Sequence, residues 1–419
     1  MRDFTLRRRF VVCRTIAARI VTAAAKLAVA VVLATASSLP AAAQSRADEI
    51  AKQQQEKEQG AEPYHPNRLE VFLSQVEQGK WIFGIPRDWY FGSGSVYQGG
   101  GFTVGGGYRH YIGYDSYIDA NALLSRRAYK KVGLTGYTPN HFKGRVDLEG
   151  AIAWLDATQV AYYGLGDESR EDGLANFRIN RAYVEGAAVM RPFKWIGLRL
   201  EGGFDDYTQK SGQSPSPSIE EIYTPETAPL LGDDPLYLRG EASATAYWQR
   251  SPSYSRRGGM YTVAYEEFNP IRGNGGTFGF LRTELVQHVP IHRETWVISL
   301  RGGTESIVRS SDVVPYFLMP SLGGGDTLRG YATDRLRDRH TLLLSGELRW
   351  FPNRLGLDMA LFMDAGTVAP YRSELAHSNM KIDYGVGIRF HTPAATALRV
   401  DVAKGSEGLR LVFAGGPVF

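Results

Sequence analysis

The sequence predicts an all-β protein, a transmembrane antiparallel β-barrel of about 16 strands, 14 of them clearly readable. Three observations carry that prediction. The chain opens on an export signal, its body is rich in glycine and tyrosine (47 and 23 of 419 residues), and segments that alternate apolar and polar residues recur from about residue 97 to the end.

Residues 1–43 read as a secretory signal. Arg2, Arg7, Arg8, Arg9, Arg14, Arg19 and Lys26 form a positive leading region, an apolar run follows from Leu27 to about Leu33, and Ala41-Ala42-Ala43 offers a small-residue cleavage site. The apolar run is shorter than the ~20 residues a spanning helix needs. Cleavage after Ala43 removes seven basic residues and one acidic one, which takes the net charge from +4 to about −2. Basicity therefore belongs to the signal, and a nucleic-acid partner is not expected. The only cysteine, Cys13, leaves as well, so no disulfide or thiolate metal site is expected in the mature chain.

Residues 44–96 form a polar leader. Ala51-Lys-Gln-Gln-Gln-Glu-Lys-Glu-Gln-Gly60 cannot bury a core, which predicts a partly disordered periplasmic segment. The barrel is expected over 97–419. In the segment 145–154, Val146, Leu148, Ile152 and Trp154 share one face, and Arg145, Asp147 and Glu149 share the other. Leu238 opposes Arg239 and Glu241, and Trp296, Ile298 and Leu300 oppose Ser299 and Arg301. Toward the end, Leu344, Leu348 and Trp350 oppose Ser345, Glu347 and Arg349, while Ile382, Tyr384, Val386 and Ile388 oppose Lys381, Asp383 and Arg389. Leu398, Val400 and Val402 oppose Arg399 and Asp401, and the chain ends on the aromatic Phe419, read as a C-terminal assembly signal.

A soluble sandwich also alternates. Here, however, the polar face mixes both charge signs in nearly every strand, as a shared lumen allows, and apolar faces end in Trp or Tyr, as an interfacial girdle does. Two further strands are expected in 131–141 and 176–190. The Pro-, Ser- and acid-rich stretch 205–236 reads as a long external loop, and Phe351-Pro-Asn-Arg354 and His391-Thr-Pro393 as tight periplasmic turns.

One connection stands apart. In Ser321-Leu-Gly-Gly-Gly-Asp-Thr-Leu-Arg-Gly-Tyr331, three glycines precede a cation set between large apolar residues, a composition suited to docking inside the protein. Leu328-Arg329-Gly330-Tyr331 resembles the Arg-Gly-aromatic motif of the bacterial surface antigen barrels, the BamA–TamA superfamily. Phe362-Met-Asp364-Ala-Gly366 is similar to that family's Phe-x-Asp-x-Gly strand, and Tyr162-Tyr-Gly-Leu-Gly-Asp167 to its Tyr-Gly-x-Gly-Asn segment. The resemblance covers roughly 97–419. It implies that the sixth external loop folds into the lumen, where its arginine meets acidic residues of the inner wall. Strand phase puts Glu347 and Asp364 on the polar face of consecutive strands, in reach of Arg329. Asp383, Arg389, Arg399 and Asp401 are expected to extend this network.

The resemblance further implies a cell outer membrane location in a Gram-negative bacterium. Expected partners are outer-membrane lipid and lipopolysaccharide, and the assembly machinery that inserts the barrel. The role implied is outer-membrane protein assembly, translocation or lipid handling, with an unknown protein substrate. The leader is too short for the family's periplasmic POTRA domains, which are expected to be absent. A passive or gated channel is the alternative role. Enzyme activity, cofactors and metals are not expected. The eight histidines are scattered, and His288 and His292 would share a face only on a helix.

Overall fold

The computed structural model describes residues 88–414, apart from 94, 214, 250–254, 293, 312, 353–356, 376–379 and 392–395. The signal, the leader up to residue 87 and Phe419 lie outside the described residues.

The first half of the sheet is β1 (Trp89–Ser93), β2 (Thr103–Ile112), β3 (Ser116–Ser125), β4 (Lys130–Asn140), β5 (Val146–Tyr162), β6 (Ala175–Phe193), β7 (Ile196–Ser211) and β8 (Leu236–Tyr247). It continues through β9 (Gly258–Arg272), β10 (Phe278–His292) and β11 (Trp296–Ser310). A long connection then carries a small hairpin, β12 (Ser321–Leu322) with β13 (Leu336–Arg337). The sheet ends with β14 (His340–Trp350), β15 (Leu357–Ala369), β16 (Lys381–His391), β17 (Thr396–Gly405) and β18 (Gly408–Ala414). All but the small hairpin form one 16-stranded antiparallel meander in chain order, an antiparallel β-barrel fold. Sequential hairpins pair each strand with its chain neighbours, which is what strict period-two patterning with short turns favours. Among the described residues no helix is long and apolar enough to cross a membrane.

The phases of the alternating segments place apolar residues outward. Leu148, Ile152 and Trp154 are exposed while Asp147 is buried, and Met359, Leu361 and Met363 are exposed while Phe362 and Asp364 are buried. This inversion of a soluble protein's burial is what a hydrocarbon surround requires. Trp296 and Trp350 stack at 5.6 Å, and Phe193 and Trp195 at 5.7 Å, all at the end that carries the short turns. They form part of an interfacial aromatic belt.

Two differences from the sequence reading appear. The sheet begins at Trp89, ahead of the boundary at 97, because Trp89–Ser93 pairs with Val104–Tyr108. The stretch 205–236 is loop only between β7 and β8. Asp205 is a buried inner-wall residue of β7, bonded to Arg181 at 2.6 Å and Arg239 at 2.8 Å. Its acidity had read as loop character because the lumen, not water, receives the charge. His288 and His292 both lie on β10 and do not share a face, since a register shift falls between Pro290 and His292 and His288 is buried while His292 is exposed.

Candidate functional site: a loop fastened inside the lumen

The β11–β14 connection turns back into the barrel. Its sharp reversal needs glycine at Gly323, where φ is 121° and an added Cβ would sit 2.0 Å from the Ala332 carbonyl oxygen. The reversal delivers Leu328-Arg329-Gly330-Tyr331 to the inner faces of β14–β17. Leu328 and Tyr331 join Leu322, Leu336, Leu343 and Val368 in a small apolar cluster. The Tyr331 hydroxyl donates to the Ile382 carbonyl at 3.2 Å.

Arg329 is fully buried. Its Nε and Nη2 donate to Asp364 at 2.7 and 2.9 Å, a bidentate pair, and its Nη1 donates to Glu347 at 2.6 Å. The Phe362 ring lies 3.4 Å from its guanidinium carbon, a cation–π contact. Gly366 completes the seat, since a Cβ there would stand 2.9 Å from Leu322 and 3.4 Å from Leu328. Phe362, Asp364 and Gly366 thus act together because strand spacing puts all three on one face. The ring stacks on the cation, the carboxylate pairs with it, and the missing side chain makes room for the loop's leucine.

The network extends beyond this seat. Glu347 also accepts from Arg349 at 2.9 Å and Arg389 at 2.5 Å, and Arg399 bonds both Asp401 and the loop's Asp326 at 3.1 Å. Asp401 stands 3.6 Å from Arg329. Asp383 behaves differently. It lies opposite Asp364 across the β15–β16 ladder, and although fully buried it forms no ion pair among the described residues. Its Cβ is 2.5 Å from where a side chain on Gly330 would begin. Gly330→Ala is therefore expected to displace the loop and lower the unfolding midpoint, whereas Gly136→Ala, at a position with open space, should leave it unchanged. Equal midpoints in denaturant titrations of the two variants would contradict the packing described.

A second fastening was not read from the sequence. Tyr316 and Phe317, in a single 3₁₀ turn of the same loop, are buried among the outer ends of the first-half strands. Tyr316 meets Tyr162 edge-on at 5.1 Å and Phe177 at 5.0 Å, and Phe317 meets Tyr207 at 5.3 Å. The signal was present as an apolar run, Val313-Val-Pro-Tyr-Phe-Leu-Met-Pro320, in a connecting segment. Two further buried arginines were missed. Arg337 donates to the carbonyls of Tyr316 and Met319, both at 3.1 Å. Arg335 donates to Ser169 and pairs with Glu407 at 2.8 Å, so it ties the β5–β6 connection to the β17–β18 turn. The Tyr162–Asp167 segment meets this loop too, with Gly166 N–H donating to the Arg337 carbonyl at 2.9 Å. In the other half of the wall, Arg239 gathers Glu185, Glu201, Asp205 and Glu266 within 3.1 Å.

A model of the Omp85 superfamily domain matches residues 116–408, which is most of the chain and all of the fastened loop. The chain belongs to the Omp85 superfamily. A solved structure agrees on the fold of this Omp85 domain. The structure of BamA from Haemophilus ducreyi lacking POTRA domains 1–3 superposes with a TM-score of 0.60 at 17% identity, covering 78% of this chain and 69% of that one. CdiB from Acinetobacter baumannii gives a TM-score of 0.48 at 11% identity, over 78% of this chain and 58% of that one. No curated protein sequence matches the chain significantly. As an Omp85 barrel the protein is an outer-membrane β-barrel of that type. Its loop is held in the lumen by one deep ionic seat on β14–β17 and one aromatic seat on β5–β7.

Proposed function

We propose that this Omp85 barrel, in the outer membrane of a Gram-negative cell, serves outer-membrane protein assembly, translocation or lipid handling. The observation that carries the reading is the doubly seated loop. A lumen whose long-loop end is filled by a buried aromatic cluster, with a buried salt-bridge network beside it, is poorly suited to steady diffusion. Arg329, Glu347 and Asp364 are read as the latch that fixes the loop, and none of them as a catalytic group. Membrane lipid and lipopolysaccharide would surround the apolar wall, and the cell's outer-membrane assembly machinery would insert it.

Depletion of the protein in its host should change outer-membrane protein or lipid composition. Unchanged composition would remove the assembly and lipid readings together. A gated channel is the second reading, favoured by the charged inner wall around Arg239. Planar-bilayer recordings separate the two: rare, flickering openings fit a fastened loop, while steady high conductance fits a channel.

A further inference from the structure

A cavity of about 700 Å³ opens at the long-loop end, where the β5–β6, β7–β8, β11–β14 and β15–β16 connections meet. Leu165, Pro229, Val314 and Met319 give it an apolar floor. Asp167, Glu168, Asp338 and Glu374 also line it, against one cation, Arg339. Backbone bonds fix three of the four connections to one another. Gly166 N–H donates to the Arg337 carbonyl at 2.9 Å and Tyr316 N–H to the Pro229 carbonyl at 3.0 Å, while Asp338 N–H donates to the Pro320 carbonyl at 3.1 Å within its own loop. The cavity is thus preformed, as ligand sites usually are.

Its electrostatics are one-sided. Asp338 is buried and, among the described residues, its carboxylate accepts only the Arg339 backbone N–H, at 2.7 Å. Burial pushes its carboxyl above the usual carboxylate range, and the nearby Asp167 and Glu374 act in the same direction. Among the described residues, none of the four carboxylates forms an ion pair. Residues 212–235 add Glu220, Glu221, Glu226, Asp233 and Asp234 with no basic residue, a field that concentrates cations at this face. The carboxylates are spread rather than convergent, for no group of three His, Cys, Asp or Glu among the described residues could hold a metal ion. Charges distributed around an apolar floor match charges distributed along an apolar chain.

We propose that this cavity binds a linear polyamine, with ammonium groups against Asp167, Glu168, Asp338 and Glu374 and the intervening methylenes on Leu165, Val314 and Met319. Calorimetric titration of the full chain in zwitterionic detergent tests this, with spermidine, hexylamine, magnesium chloride and trilysine as probes. Spermidine should bind saturably at one site, at least about tenfold more tightly than hexylamine, which has the apolar stem but one charge. A Glu168→Gln/Glu374→Gln variant should lose about tenfold in affinity, and an Asp115→Asn variant, in the exposed β2–β3 turn at the short-turn end of the barrel, should not. Heat-modifiability on gels verifies that each variant is folded. Magnesium binding as tightly as spermidine, or the cavity variant binding like wild type, would overturn the proposal. Tighter binding of trilysine than of spermidine would overturn it in favour of a basic polypeptide.

Discussion

Replacing Arg329 with alanine will lower the barrel's resistance to urea and heat by an amount equivalent to about 3–5 kcal/mol, because Asp364 is left buried with its charge uncompensated, while Glu347 keeps Arg349 and Arg389. The loss has two parts that a second variant separates. Arg329→Lys keeps the charge but not the fork that meets both oxygens of Asp364, nor the planar face that lies on Phe362. It should therefore recover only part of the stability. The measurement is the urea midpoint of refolded protein in detergent or lipid, read beside heat-modifiability on gels. A lysine variant as stable as wild type would mean that the bidentate geometry contributes nothing, and an unchanged alanine variant would remove the latch altogether. Single-channel recordings add a functional readout, since an unfastened loop should raise the frequency of openings.

The second large effect is expected at the aromatic seat. Tyr316→Ala removes a fully buried ring held between Tyr162 and Phe177, and truncations of this size cost about 3–5 kcal/mol when the site cannot collapse. Collapse is resisted here because the neighbours are strand residues fixed by the sheet. Tyr316→Phe should be close to wild type, since the hydroxyl has no hydrogen-bond partner among the described residues. A Phe variant as damaged as the Ala variant would show that the hydroxyl matters more than the ring. Because this seat lies on β5–β7 and the ionic seat on β14–β17, a variant of one should leave the other's local contacts in place. The combined variant should lose about the sum of the two effects, as distant sites usually do.

The middle of the strands was the most legible part of the sequence. Between the two membrane interfaces one face meets hydrocarbon and the other the lumen, so period two is strict, and Glu347, Asp364, Asp383 and Asp401 can be placed by counting. Legibility falls where strands run past the membrane. A tilted strand crosses with about 9–11 residues, but β6 has 19 and β7 has 16. Beyond the hydrocarbon the outer face meets water, both faces admit polar residues, and the alternation dissolves. Asp205 and Asp206 look like a loop there for that reason, although Asp205 is buried in the wall. The ionic seat was legible because its motif residues are spaced by two along one strand. The aromatic seat was not, because Tyr316 finds Tyr162 and Phe177 across a separation that no local pattern encodes. Arg335 and Arg337 were hidden by their setting, an Asp334–Arg339 run that reads as an ordinary solvated turn.

The two seats belong to parts of the sheet that are far apart in sequence, and Arg335 reaches back 166 positions to Ser169. Docking the loop therefore closes a very long segment, and its entropy is lost before any of these contacts can repay it. The seats exist only once the strands that form them are in place, so the loop is expected to dock late, and contacts made that late slow unfolding while leaving the folding rate nearly untouched. The fastened loop is in this sense a kinetic device: it sets how long a finished barrel lasts, and the hairpins of the meander set how fast one is made.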